Sequence, residues 1–183
     1  FILKSNNFIK SYDTNTLEKV NVNNLIFNSN PKISNLGFKN DYDFILKNVN
    51  SDSENSSSYK KDDDFYLSGL LQYNSSFPMV KKTNNFLNIF SPRLALKISP
   101  NYTKDISQNE GSRLDVNNIF DLDRLSSNNV LEGGTSLTLG NDFSIFDNNK
   151  SRELFSIKLA NNIRFEDNDD LPKRNQLNSK NSK

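Results

Sequence analysis

Apolar and polar side chains alternate at every second position in five segments of this chain. The segments are residues 36–47, 65–74, 90–99, 136–145 and 155–165. In the third of them, Leu94 and Leu96 fall on one face, whereas Arg93 and Lys97 fall on the other. This period of two is typical of β-strands that have one apolar and one polar face. The pattern therefore predicts an all-β protein.

The length of the segments and of their connections favours a membrane β-barrel. Each segment holds about ten residues, whereas strands of soluble proteins usually hold about five or six and tilted transmembrane strands about 9–11. Long polar connections at 51–64 and 100–129 alternate with short ones at 81–85 and 147–153. Outer-membrane barrels show this alternation because their periplasmic turns are short and their external loops long.

The number of strands leaves two interpretations open. Residues 1–32 add one or two uncertain strands, which gives about five to seven in all. A membrane barrel needs at least about eight strands, and an unpaired strand edge in lipid is costly. The chain is therefore expected to be either part of a larger antiparallel transmembrane barrel or a soluble β-sandwich.

Composition excludes several functions. Lys plus Arg is 23 and Asp plus Glu is 22, which gives a net charge of +1 with no basic cluster, so nucleic-acid binding is not expected. The chain has no cysteine and no histidine, the residues that most often serve as nucleophiles, general bases and metal ligands. There is also no apolar run of the length that a transmembrane helix needs.

The remaining motifs do not predict catalysis or a cofactor. An EF-hand loop that began at Asp115 would place Phe120 where glycine is required, so the match fails. Ser156 and Lys158 share a polar strand face without any accompanying hydrolase motif. Gly133 and the glycine after it lack the context of a phosphate-binding loop and indicate a bend or a close approach of strands. We therefore predict no enzyme activity, no metal site and no cofactor.

Basic side chains on the polar faces are the candidate contact residues. In a barrel they would line the lumen, where they could contact an anionic glycolipid or a protein inside the barrel. The candidates are Arg93, Lys97, Lys158 and Arg164. On this register, positions 94, 96, 157 and 159 face lipid.

Three stretches of the sequence resemble a known family. They are residues 75–101, with prolines at 78, 92 and 100; residues 113–140, which run through an arginine into Glu-Gly-Gly; and residues 155–183. Together with residues 33–50 they are similar to the outer-membrane protein family LptD, also called OstA or Imp, in its alphaproteobacterial form. The Arg-Phe-x-Gly-x-Asp loop of the family is reduced here to Arg124 and Leu125 followed by Ser and Asn.

The resemblance implies a fold, a location and a set of partners. Residues 1–183 would form an interior part of the C-terminal barrel domain, with 33–183 as the matched region. The periplasmic domain would lie upstream and the closing strands downstream. The chain would transport and assemble lipopolysaccharide in the outer membrane. Its partners would be lipopolysaccharide, an LptE-type lipoprotein in the barrel lumen, the periplasmic Lpt bridge and outer-membrane lipid. Alternatives are another large barrel, such as a porin or receptor, and a soluble β-sandwich adhesin.

Overall fold

A computed structural model describes residues 1–12, 15–56, 59, 61, 63–108, 113–125, 127, 129–147, 152–175 and 177–178. Within these residues the chain is all-β, apart from one short 3₁₀ helix at Lys173–Asn175, and no helix is long and apolar enough to cross a membrane. The strands are β1 (Ile2–Tyr12), β2 (Thr16–Asn28), β3 (Lys32–Ile33), β4 (Lys39–Glu54), β5 (Asp64–Ser76), β6 (Met79–Lys82), β7 (Phe86–Ile98), β8 (Ser136–Asp147) and β9 (Arg152–Arg164).

All nine strands belong to one antiparallel sheet. The seven long strands lie in the order β1-β2-β4-β5-β7-β8-β9, and β3 and β6 pair with β4 and β7. Each long strand therefore pairs with its neighbours in the sequence, as in an up-and-down meander. The chain passes from β3 to β4, from β6 to β7 and from β8 to β9 at one end of the sheet, which we call the short-turn end. The long-loop end has one short connection and the longer segments 55–63 and 99–135.

A break between β5 and β6 explains how proline fits into the sheet. β5 pairs with β7 as far as Ser76 opposite Arg93, and β6 resumes the pairing at Met79 opposite Phe90. Phe77 donates a backbone hydrogen bond to the carbonyl of Pro92 (3.0 Å) inside this break. Proline has no N–H to contribute to a ladder, so an interrupted partner strand is a favourable place for it.

The two faces of the sheet have different surroundings. Residues 99–135 and 165–178 fold back over one face from the long-loop end; we call their described residues the cap and this face the covered face. The cap buries apolar side chains of β2, β4 and β5 in two clusters. The larger cluster joins strand residues to three leucines and a valine of the cap: Val20, Val22, Val49, Tyr66, Leu125, Val130, Leu171 and Leu177. The smaller cluster consists of Ile45 and Leu70 of the strands and Leu131 of the cap.

The opposite, uncovered face carries exposed apolar side chains instead. Its exposed members on β4, β5, β8 and β9 include Tyr42, Phe65, Leu67, Leu71, Leu139, Phe155, Ile157 and Leu159. A soluble monomer rarely exposes a continuous apolar area of this kind. The uncovered face is therefore the side of the sheet that needs an apolar environment.

The predicted all-β class and the five predicted strands are confirmed. The strands are longer than the alternation indicated: β4 extends to Glu54, and β7 begins at Phe86. Residues 1–32 contain β1, β2 and the first residue of β3, and they extend the same sheet. Ile45 breaks the alternation because it points into the covered face, where it packs with Leu70 and Leu131.

Candidate functional site

All four candidate cations lie on the covered face. Lys97 and Arg164 are almost completely buried beneath the cap, with 1% and 2% of their surface exposed. Arg93 is half-buried and Lys158 is exposed. The structure therefore brings two of the predicted residues into a buried cluster and leaves two on the open part of the same face.

Glu132, a residue of the cap, is the centre of that buried cluster. Its carboxylate accepts a hydrogen bond from Arg124 Nε (2.8 Å) and another from Arg164 Nη1 (2.7 Å), and Arg124 Nη2 makes a further bond to it. Lys97 Nζ lies 4.0 Å from the same carboxylate. One carboxylate is thus the shared ionic partner of three basic side chains that come from the cap and from the strands β7 and β9.

Arg124 connects the cap to two further strand positions. Its Nη1 donates to Asn162 Oδ1 (2.7 Å), and its Nη2 donates to Ser136 Oγ (3.0 Å). Thr138 Oγ1 also donates to Asn162 Oδ1 (3.0 Å), which closes the network on β8 and β9. The planar guanidinium has five N–H donors in a fixed arrangement, so one arginine can hold several strand acceptors at once.

The charge of Glu132 depends on its cationic neighbours. Burial raises the pKa of this carboxyl, but Arg124, Lys97 and Arg164 outweigh burial and hold the pKa at about 2, below the ordinary value of 4.5. Glu132 is therefore ionised throughout the physiological range. A buried carboxylate that is fully paired is a structural anchor.

Two lysines bind the backbone of the cap at separate places. Lys47 Nζ donates to the carbonyls of Ser127 (2.6 Å) and Val130 (3.1 Å) and lies 3.5 Å from Asp123 Oδ2. Lys97 Nζ donates to the carbonyls of Leu122 (3.0 Å) and Asp121. These two lysines donate the hydrogen bonds that water would otherwise donate to the carbonyls of the cap.

Gly134 allows the chain to turn directly beside the ionic cluster. Its φ is +93°, and a Cβ there would lie 2.6 Å from Arg164 Nη2 and 3.1 Å from Asn101 Oδ1. Arg164 Nη2 also donates to the carbonyl of Gly133 (2.6 Å). The Glu-Gly-Gly sequence therefore supplies the carboxylate and the close backbone approach in one short segment.

The two less buried cations contact residues 117–121 of the cap, which we call its tip. Arg93 Nη1 lies 3.2 Å from Asp142 Oδ2, and its guanidinium stacks 4.2 Å from the centroid of the Phe120 ring. Lys158 Nζ donates to Asn117 Oδ1 (3.3 Å). Lys158 is six residues from the end of β9, so the cap reaches about 20 Å along the sheet.

A polar cavity lies on the covered face between the tip of the cap and the short-turn end. Its volume is about 530 Å³. Asn74 Nδ2 donates to both Asp41 (2.7 Å) and Asp43 (2.8 Å) in its wall. The carboxamide Nε2 of Gln72, which is 1% exposed, donates to the Phe120 carbonyl (2.9 Å). This part of the covered face presents acidic and amide side chains to the open cavity.

The arrangement holds a loop in place and presents a polar wall. In the described part of the chain, no group of three or more acidic side chains could hold a metal ion. Asp115, the first residue of the rejected EF-hand match, instead accepts hydrogen bonds from the backbone of Asn117 (2.7 Å) and Asn118 (3.2 Å).

The alternation of strand residues did not identify Arg124 and Glu132, because both lie in the cap. The signal that was available is their position in the stretch 113–140, where an arginine leads into Glu-Gly-Gly. The same stretch also contains Arg113, Asp115, Asp121 and Asp123, so the sequence alone did not show which charges form a pair.

Comparison with known proteins identifies the family. Residues 27–183 match the family model of LptD, described as LPS transport system D. No curated protein matches the chain. The match begins near the end of β2 and includes β3 to β9 and the whole cap. Because it covers well over half of the sequence, this chain belongs to the LptD family, whose role is lipopolysaccharide transport and assembly at the outer membrane.

Proposed function

We propose that the sheet is a section of the wall of a larger outer-membrane barrel through which lipopolysaccharide passes to the cell surface. The uncovered face contacts lipid, and the covered face lines the lumen. The observation that carries the proposal is the apolar uncovered face of a sheet whose other face is polar and partly filled by its own loop. The function is binding and guided passage, not bond chemistry.

Aromatic side chains on the uncovered face support this orientation. Three pairs lie towards the short-turn end: Phe1 with Phe27 (4.9 Å between ring centroids), Tyr42 with Tyr73 (5.1 Å) and Phe143 with Phe155 (6.3 Å). Rows of aromatic residues mark the membrane interface of outer-membrane barrels. Such rows lie at both interfaces, so the three pairs place the short-turn end at one of them. Because periplasmic turns are short and external loops long, the short-turn end would be the periplasmic end and the long-loop end the external one.

The covered face provides room for the partners. The polar cavity beneath the tip of the cap has Asp41, Asp43 and Gln72 in its wall, and its lining reaches Lys39 and Ser76 at the proposed periplasmic end. An LptE-type lipoprotein would occupy the lumen beside it, and the periplasmic Lpt bridge would deliver lipopolysaccharide to the barrel. Arg93 and Lys158 are the predicted contact residues that remain accessible, whereas Lys97 and Arg164 are occupied in holding the cap.

Cysteine labelling of the complete protein in isolated outer membranes tests this assignment. Single cysteines replace Lys158 and Leu159, which are neighbours on opposite faces of β9, and likewise Arg93 and Leu94 on β7. A charged, water-soluble methanethiosulfonate is expected to modify the variants Lys158→Cys and Arg93→Cys. It should leave Leu159→Cys and Leu94→Cys unmodified, because reagents of this kind do not enter lipid.

The control is the same reaction after each variant has been unfolded in detergent and urea. All four thiols should then react, which shows that each cysteine is reactive once it is accessible. The opposite labelling pattern in the membrane would contradict the register. Equal reaction of all four cysteines would contradict the placement of the uncovered face in lipid.

A further inference from the structure

A trough crosses the uncovered face near the long-loop end, outside the lumen and the cap. It follows one row of paired residues across β1, β2, β4 and β5, namely Phe8, Val20, Ser51 and Asp64. Its lining consists of these residues and their immediate neighbours in each strand, and its volume is about 660 Å³. The neighbours point to the uncovered face because the side chains of Val20 and Ser51 are buried on the covered one.

The trough has apolar ends and a polar floor. Ile9 on β1 and Phe65 on β5 stand at its two ends with 74% and 66% of their surfaces exposed. Asn21 and Asn50 lie between them. Four adjacent strands span about 14 Å, since neighbouring strands lie about 4.8 Å apart. The trough is therefore long enough for several linked sugar rings.

Side-chain amides form a connected surface at and beside this floor. Asn21 Nδ2 donates to Asn7 Oδ1, Asn50 Nδ2 donates to Asn48 Oδ1 (2.8 Å), and Asn23 Nδ2 donates to the same Asn48 oxygen (3.3 Å). Each carboxamide is both a donor and an acceptor, which matches sugar hydroxyls, since these also donate and accept. The exposed ring of Phe65 offers a flat apolar surface for the C–H face of a sugar.

The charges in the trough favour an uncharged ligand. Lys19 Nζ lies 3.1 Å from Asp52 Oδ2, so the cation of the floor is neutralised within the trough. Asp64 is in the same row as Val20 and Ser51, and its carboxylate pairs with Lys104 of the cap (3.2 Å) on the covered face, so it adds no charge to the trough. Asp63 at the rim adds a negative charge. A phosphate group in the trough would lie beside the carboxylates of Asp52 and Asp63, and Lys19, the cation among the lining residues, is already paired. The surface is better suited to neutral hydroxyl groups.

The position of the trough fits a sugar that is attached to a membrane lipid. On the same face, the apolar side chains Leu46 and Leu25 lie towards the short-turn end. Leu46 is four residues from Asn50 along β4, which corresponds to about 13 Å. The trough therefore lies beyond the apolar part of the wall, where the sugars of an outer-leaflet glycolipid stand above its acyl chains.

We propose that this trough binds the neutral sugars of an outer-leaflet glycolipid against the outside of the barrel wall. The inference rests on the proposed function, because it requires the uncovered face to be embedded in the outer membrane with the long-loop end outside. It assigns a ligand class to a surface that is separate from the lumen. The bound glycolipid would be a neighbour of the barrel in the membrane, held by its carbohydrate.

Photo-crosslinking in living cells tests the proposal. A benzophenone amino acid replaces Asn50 in the floor of the trough in the complete protein. As a matched control it replaces Asn141, an exposed asparagine on the uncovered face of β8, outside the trough and between Leu139 and Phe143. The cells make either lipopolysaccharide with its full core sugars or a form truncated to its lipid A portion.

Crosslinking from position 50 is expected with the full core sugars and should fall about tenfold with the truncated form. Crosslinking from position 141 to lipid should be the same with both. Three outcomes would overturn the trough proposal while the proposed function stands, provided that position 141 crosslinks to lipid. They are no lipid crosslink from position 50, a crosslink from position 50 that does not change with the length of the sugar, and a crosslink from position 50 to a protein. If position 141 finds no lipid, both proposals fail together.

A second variant separates sugar binding from mere proximity. Phe65→Ala removes one end of the trough, and we expect the sugar-dependent crosslink from position 50 to fall about fivefold, as loss of one aromatic contact implies. Phe155→Ala, which truncates another exposed phenylalanine of the uncovered face, should leave that crosslink unchanged. Equal effects of the two variants would overturn the assignment of Phe65.

Discussion

Glu132 is the cap residue that joins β7 and β9 through ion pairs. It is the carboxylate shared by Arg124, Arg164 and Lys97, all of which are buried. Removal of one charge from a buried ionic group is costly because the remaining charges keep neither their partner nor their hydration. Loss of Glu132 would leave the guanidinium groups of Arg124 and Arg164 buried without their shared counter-ion.

Glu132→Gln is expected to release the cap from β7 and β9. Loss of a buried ionic partner costs about 3–5 kcal/mol, so exchange of the amides in residues 113–125 should accelerate by about a hundredfold or more. Hydrogen–deuterium exchange of the complete protein in detergent micelles measures this effect. Glu153→Gln, which changes an exposed carboxylate on β9, is the matched control and should leave the same amides protected. Unchanged exchange in Glu132→Gln would contradict the anchoring role.

The contribution of Glu132 also has a defined pH dependence. Its pKa in the folded protein, about 2, is lower than the ordinary value of 4.5, so folding favours its ionised form. The stabilisation is therefore complete above pH 4.5 and is lost as the pH falls towards 2. In the exchange experiment, the difference between wild type and Glu132→Gln should have its full size near pH 5 and should shrink as the pH falls below 4.5. A difference that grew on acidification would contradict this sign.

At the scale of structural elements, the cap lies close to the sheet because β8 has a glycine under it. A Cβ on Gly140 would lie 2.8 Å from the Phe120 ring and 2.9 Å from the carbonyl of Leu159. Phe120 in turn stacks on Arg93. The lack of a side chain at position 140 therefore sets how far the tip of the cap descends along the covered face.

Gly140→Ala is expected to lift the tip of the cap without unfolding the sheet. Overpacking of a tight contact costs about 1–3 kcal/mol; the ring of Phe120 can move away, whereas the Leu159 carbonyl belongs to the backbone of β9 and must shift as well. Exchange of the amides around residues 117–121 should accelerate, and the pairing of β8 with β9 should loosen only next to position 140. Gly69→Ala is the control, because a Cβ there would make only ordinary contacts of 3.5 Å or more. Equal exchange in both variants would contradict the role of Gly140.

The sequence predicted the strands but not the structure that covers them. Alternation is a local property of a strand, so the segments around Leu94 and Leu159 could be read directly. Tyr66 and Leu70 lie on the polar face of their segment, and the reason for this exception lies in the cap, dozens of residues away. Non-local contacts such as Arg124 with Asn162 have no periodic signal. Of the candidate site, the face of each cation was predictable and its partner was not.

At the scale of the whole molecule, the sheet has one apolar face without a cover and two open edges. β1 pairs only with β2, and β9 pairs only with β8, within the described residues. Exposed strand edges and continuous apolar surfaces both promote association in water. In a closed barrel within a membrane, further strands would pair with the edges and lipid would cover the apolar face.

The 183-residue chain on its own should therefore fail to give a soluble monomer. After dilution from urea into buffer, we expect it to sediment as large aggregates, whereas dilution into detergent micelles above their critical concentration should keep it dispersed and rich in β-structure. Far-UV circular dichroism and sedimentation velocity measure both properties. A soluble β-sandwich would instead give a folded monomer in buffer without detergent, because its apolar faces would be packed against each other. That outcome would contradict a lipid-facing sheet and would support the adhesin alternative.

A variant with three exposed apolar residues of the uncovered face replaced (Leu71→Ser, Leu139→Ser and Leu159→Ser) should aggregate less in buffer, since it reduces the apolar area that drives association.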